Sequence, residues 1–144
     1  MNRDLSDTEY RDLLAFRTAL RRFLRWSEEQ AASLDITPAQ HQLMLAIRGH
    51  DGTLGPTIGD VADALLLRHH SAVGLVDRAE AAELVERRSD PGDQRVVRLR
   101  LTAFGARRLR QLAGLHLAEL RRMMPLLATV FSAPDADDRD EGEA

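Results

Sequence analysis

Between Asp7 and Ala32, apolar residues recur at steps of three and four: Leu13, Phe16, Leu20, Phe23 and Leu24 share one side of a helical period. Thr37-Pro38 follows, an N-cap residue ahead of a proline at the first helical position. The helix it opens runs to about Arg48 and turns Leu43, Met44 and Ile47 to one face. "GHDGTLGP", Gly49 to Pro56, reads as a loop because of its three glycines. Thr57 caps a short helix with an Ile58, Val61, Ala62 and Leu65 stripe. After a break at Arg68-His69-His70, Ser71 is expected to cap the next helix, in which Val73, Val76 and Ala79 face inward. Two short helices around a tight turn form a helix-turn-helix unit, a pattern that many all-α proteins contain.

The period then changes. In "RVVRLRL" the residues Val97, Leu99 and Leu101 alternate with Arg98 and Arg100, which is the period of a strand. "ELVERRS" precedes it, and "DPGDQ" between the two is turn chemistry. The expectation is a hairpin with one apolar and one cationic face, leaning on the preceding helix because an isolated hairpin is marginal in water. Thr102 caps a long final helix to about Met124, with Leu117, Leu120, Met124, Leu127 and Phe131 as a seam. Pro125 removes an amide donor, so a kink or a new helix is expected there. The fold class is therefore mainly α (α+β).

Charge changes this picture only once it is divided. The net charge is −3, but Asp135–Ala144, "DADDRDEGEA", carries six acids and one arginine, or −5. Residues 1–134 thus carry +2, from −3 less −5. The tail, poor in apolar residues and rich in like charge, is expected to be disordered. All twenty basic residues are arginine, the side chain suited to bidentate contact with phosphate or guanine. There is no cysteine, which removes disulfides and thiolate chemistry. Neither a run of about 18 apolar residues nor a secretory h-region is present, so a cytoplasmic protein without membrane contact is expected. A Gly-rich phosphate loop, a nucleophile motif and carboxylates at metal spacing are all missing, which speaks against an enzyme and against any cofactor. Adjacent His69 and His70 point about 100° apart on a helix and chelate poorly, so no metal site is expected.

Five arginines fall between Arg87 and Arg100, around one exposed turn. Helix, turn, helix and hairpin in that order make a winged helix-turn-helix, with this stretch as the wing. A duplex carries one phosphate charge per roughly 1.7 Å of axis, so an arginine-edged ribbon beside a recognition helix is placed to grip it.

At this point the sequence resembles the multiple-antibiotic-resistance regulator (MarR) family of transcription factors. The resemblance rests on Asp77-Arg78, Leu84-Val85, Asp93-Gln94-Arg95 and Leu101-Thr102-Ala103-Phe104-Gly105 in their order. It implies one winged-helix domain over residues 1–134, with a DNA-binding unit at about 37–101. Long dimerisation helices would lie at about 7–34 and 102–131. Family members usually have glycine before Leu-Val, where the helix ends left-handed; this chain has Glu83.

The resemblance further implies a homodimeric transcriptional regulator on a pseudo-palindromic DNA site, acting as a repressor. Arg68, His69, His70, Ser71 and Gly74 would enter the major groove. Gln94 and Arg95 would form the wing tip, and Arg87, Arg88 and Arg98 would meet phosphates. Asp77 and Asp93 would orient the wing, with Asp77 tethering Arg95. A small aromatic or anionic ligand would release the DNA from a pocket near Arg22, Trp26, His41 and Arg48. A winged module that binds a protein partner instead of DNA is the rival, and steep salt dependence of duplex binding separates the two.

Overall fold

The computed structural model describes residues 3–131; the acidic tail and its expected disorder lie outside the described residues. The elements in chain order are α1 (Asp7–Ala32), α2 (Pro38–Arg48), α3 (Ile58–Leu65), α4 (His69–Ala81), β1 (Val85–Ser89), β2 (Val97–Leu101) and α5 (Ala103–Phe131). The chain is mainly helical, with one antiparallel two-stranded sheet. Residues 26–115 form one compact unit, and the flanking described residues, 3–25 and 116–131, form another.

The larger unit is organised by caps and a small core. Thr37 and Gln40 close a reciprocal capping box on α2, and Thr57 and Asp60 do the same on α3. Each cap contributes about 1 kcal/mol. Packing outweighs them: Leu43, Met44, Leu99 and Leu112 are fully buried, each worth roughly 1.5–3 kcal/mol. Ala31, Ile47, Val61, Leu75, Val76 and Val85 belong to the same cluster, so α2, α3, α4 and both strands share one core.

Three helix ends turn left-handed at residues other than glycine: Asp35 (φ 57°), Leu66 (φ 55°) and Glu83 (φ 61°). At the last of these, Leu84 N donates to Ala79 O at 3.0 Å and Glu83 N to Glu80 O at 2.9 Å, the paired bonds of a Schellman end. Glu83 thus occupies the left-handed position that the sequence pattern assigns to glycine.

Two expectations are corrected. Helix α4 begins at His69 with Arg68 as its N-cap, and no side chain caps it; Ser71 lies inside the first turn instead. The buried stripe is accordingly Ala72, Leu75, Val76 and Ala79, with Val73 half-buried. Pro125 does not open a new helix, since α5 runs through it to Phe131. A proline within a helix forfeits one backbone bond, and here that loss does not end α5.

The hairpin pairs Val85 with Leu101, Arg87 with Leu99 and Ser89 with Val97. Val85 and Leu99 are buried, while Val97 near the tip is 37% exposed, so the core covers only the inner part of the ribbon. The loop before α3 adds to the free side of β2, where Leu99 N donates to Pro56 O at 2.8 Å. Gly55 (φ 82°) permits this approach, because a Cβ there would lie 2.3 Å from Leu99 O.

The base of the wing is fastened by Thr102. Its hydroxyl donates to Glu83 O at 2.6 Å and accepts from Gly105 N at 2.9 Å, while Thr102 N donates to Leu84 O at 3.1 Å. Gly105 makes room for the junction: a Cβ there would sit 2.0 Å from Leu84 O.

In the smaller unit, Phe23 of α1 meets His116 of α5 edge-on, with ring centroids 5.9 Å apart, and Met123 is buried. Leu13, Leu14, Leu117, Met124 and Leu126 are each more than half exposed.

Candidate DNA interface

Helix α4 buries one stripe and turns the other side outward, which leaves Arg68, His69, His70 and Ser71 exposed at its N-terminal end. Without a side-chain cap, the first amides of α4 keep their partial positive charge for an external acceptor. Gly74 is half-buried on the next turn, and a Cβ there would meet Arg78 Nη1 at 3.3 Å. Among the described residues no group of three or more His, Cys, Asp or Glu could hold a metal ion.

The wing turn is built around Asp90, which is 8% exposed. Its Oδ1 accepts from Gly92 N at 2.8 Å and Asp93 N at 3.1 Å, and its Oδ2 accepts from Arg98 Nε at 2.9 Å. The bond from the Gly92 amide, then that from Arg98, holds the Asp90 carboxyl below the usual aspartate range. Asp90 N to Val96 O, 2.9 Å, closes the turn across its neck. Arg98 reaches on to Gly55 O at 3.3 Å, so it ties the wing to the loop before α3.

Arg95 sits beyond this frame with its side chain 90% exposed. Three of its donors go to Asp93: the backbone N at 3.0 Å to Oδ1, Nε at 3.1 Å to Oδ1 and Nη2 at 3.1 Å to Oδ2. The side-chain bond from Arg95, then its backbone bond, lowers the Asp93 pKa. The guanidinium is therefore aimed outward from the tip by its own neighbour. Gln94 is exposed beside it.

This corrects the expected tether. Asp77 binds Arg87, with Nη2 to Oδ1 at 2.6 Å, and has no contact with Arg95. Arg87 also donates to Glu80 through Nη1 at 2.9 Å and through its backbone N at 3.2 Å. Asp77 still fixes the wing to α4, but through the first strand. The reach explains the exchange: Arg87 lies at the base of the hairpin beside α4, and Arg95 lies at its far end.

The five wing arginines thus divide. Arg87 and Arg98, about a quarter exposed, bind intramolecular acceptors. Arg88 pairs with Glu86 on its own strand at 2.8 Å and is 59% exposed. Arg95 is held but fully presented, and Arg100 is exposed with no ion pair among the described residues.

Of the four expected pocket residues, Arg22 and Trp26 stand one turn apart on α1. His41 is buried and Trp26 half-buried in the larger unit, where Arg48 is exposed at the end of α2; Arg22 is exposed in the smaller unit. Sequence reading missed Asp90, Glu80 and the second bond of Thr102. The Asp-Pro-Gly-Asp run was a signal for the first of these, because aspartate at the start of a turn commonly accepts amides two and three residues on.

The model of the MarR family matches residues 34–96, which take in α2 to α4, β1 and the wing turn. The HTH-type transcriptional repressor NicR of Pseudomonas putida is 33% identical over 91 residues, 62% of this chain and 55% of that protein. The chain spans about half the length of the curated relatives it matches. AbsC, a MarR family transcriptional regulator from Streptomyces coelicolor, superposes with a TM-score of 0.66 at 27% identity, covering 92% of this chain and 86% of that one. A mutant of MepR from S. aureus, bound to an oligodeoxyribonucleotide, gives a TM-score of 0.65 at 22% identity over 77% of this chain and 79% of its own.

Proposed function

We propose that this chain, whose residues 34–96 match the MarR family, is a dimeric, sequence-specific DNA-binding repressor of that family, released by a small-molecule ligand. The observation that carries DNA binding is the pairing of an exposed, uncapped α4 start with an outward-aimed Arg95 in the same compact unit. Uncapped amides and adjacent Arg68 suit phosphate, while His69, His70, Ser71 and Gly74 are the side of α4 we assign to base edges. Arg95 is assigned to a minor groove, where negative potential is concentrated, with Gln94 beside it. Arg88 and Arg100 are the strand cations best exposed for backbone phosphates.

Dimerisation is supported by the apolar side chains that α1 and α5 leave exposed, among them Leu14 at 64% and Leu126 at 61%. Exposed apolar area of this extent marks an interaction surface, and a two-fold copy of the same helices is the self-complementary way to cover it. Two winged units related by two-fold symmetry require half-sites about one helical turn apart, ~34–36 Å. The repressor sense follows the naming of NicR as a repressor, and ligand release is what the resemblance to the MarR family implies.

The test is to recover genomic fragments retained by the purified protein and to footprint them at several salt concentrations. We expect protected half-sites spaced by about 10 base pairs and an affinity that falls steeply with salt. Retention that is insensitive to salt, or no retained fragment, would favour a protein-binding winged module.

A further inference from the structure

From Gln94 to Ala118 the sequence contains six arginines and no aspartate or glutamate. Three of them, Arg107, Arg108 and Arg110, stand within a single turn of α5. Like charges at such spacing repel, and the positive end of the helix adds to the repulsion. Among the described residues none of the three forms an ion pair, in contrast to four of the five wing arginines, each of which has a carboxylate. Core packing does not require these charges, since Leu109 and Leu112 supply the buried face of the same turns.

Their geometry is that of a prepared site. Phe104, Arg107, Arg108, Arg110 and Gln111 line an open depression of about 470 Å³. The Arg108 guanidinium lies over the Phe104 ring, 5.1 Å from its centroid, and Nη1 donates to Gln111 Oε1 at 3.3 Å. Two of its contacts therefore fix the group in place. Yet Arg108 Nε is buried without a hydrogen-bond partner. A buried charged donor left open is costly, and it leaves the guanidinium short of one acceptor.

We propose that this depression binds the oxyanion of a small molecule, a carboxylate or phosphate, with Arg108 as its principal donor and Arg107 and Arg110 as flanking charges. The oxyanion accepts from Nη2 of Arg108, since Nη1 holds Gln111 and Nε is buried. The site lies on α5, apart from the α4 start and the wing tip, and does not depend on the DNA reading.

The test follows the arginine Nε–Hε resonances of the full chain during titration with sodium phosphate, sodium acetate or sodium chloride at constant ionic strength. A saturable shift of the Arg108 resonance with phosphate or acetate, and none with chloride, is expected. Arg107→Gln, at an exposed position, should weaken that response several-fold. Arg108→Gln, followed through the remaining arginine signals and checked for an unchanged melting transition, should weaken it at least tenfold. Equal, unsaturated shifts in all three salts would overturn the proposal, as would a saturable shift indifferent to both substitutions. A shift driven by duplex DNA that phosphate does not compete away would assign these arginines to the DNA backbone and overturn it as well.

Discussion

Arg87 on β1 donates from Nη2 to Oδ1 of Asp77 on α4 at 2.6 Å, and so α4 is bound to the first strand of the wing and not to its tip. The pair is half-open to solvent, with Asp77 61% exposed, which limits its worth to about 0–1 kcal/mol. We expect Asp77→Ala to lower urea-unfolding stability within that range. In double-mutant cycles Asp77 should couple to Arg87 and add independently with Arg95, because only the first pair is in contact. Coupling of Asp77 to Arg95 would restore the tether that the sequence suggested.

Arg95→Ala should weaken duplex binding tenfold or more, about 1.4 kcal/mol or more, at an unchanged melting temperature. The side chain is 90% exposed and contributes nothing to the core. Asp93→Ala should weaken binding less, because the guanidinium survives but loses its aim. Full affinity in Arg95→Ala, measured by fluorescence anisotropy on a recovered site, would remove the wing tip from the interface.

Asp90 and Asp93 both have pKa values held below the usual aspartate range, by the Gly92 amide and Arg98 for the first and by Arg95 for the second. A depressed carboxylate stabilises its surroundings at pH values above its unfolded pKa of about 3.9, and that contribution is lost as pH falls through the lower folded value. The wing turn should therefore hold its structure from neutrality down to about pH 4 and loosen below it. Amide exchange at Gly92 and Asp93 gives the readout. Asp90→Asn should accelerate exchange at neutral pH, and a wing turn that loosens already between pH 7 and 5 would contradict this assignment.

Glu83 (φ 61°) and Gly105 form a contrasting pair. Glu83→Gly relieves a left-handed non-glycine residue, a gain of up to about 1 kcal/mol partly offset by the freer unfolded chain. A melting temperature raised by a few degrees is expected. Gly105→Ala places a Cβ 2.0 Å from the Leu84 carbonyl oxygen, which backbone movement alone can relieve. It should destabilise strongly, by more than about 2 kcal/mol, and an alanine variant with native stability would show that the junction is loose.

Much of this architecture was legible because periodicity and caps are local. Thr37, Thr57 and Thr102 announced three helices correctly, and the alternation of Val97, Leu99 and Leu101 marked the strand before Thr102. Ser71 misled because a capping residue and a residue within the first turn look alike in sequence, and the chain turns helical at His69 instead. Side-chain partners were the least legible feature. Arginine reaches several ångströms in many directions, so Asp77 could face either Arg87 or Arg95 until the hairpin base was placed beside α4. The open Nε of Arg108 had no sequence signal at all beyond the missing carboxylates around it.

Thr102 joins the end of α4 to the start of α5 and leaves Val85 to Leu101 as a loop with both ends clamped. A loop closed at its neck tolerates a change in length at its far end cheaply, because each doubling adds only about 0.6 kcal/mol of closure entropy. Residues Pro91 to Arg95 can therefore be lengthened, shortened or exchanged without disturbing α4. The fold thus separates α4 and the wing tip into independently replaceable parts, one a helix fixed by the core and the other a tip free to be rewritten.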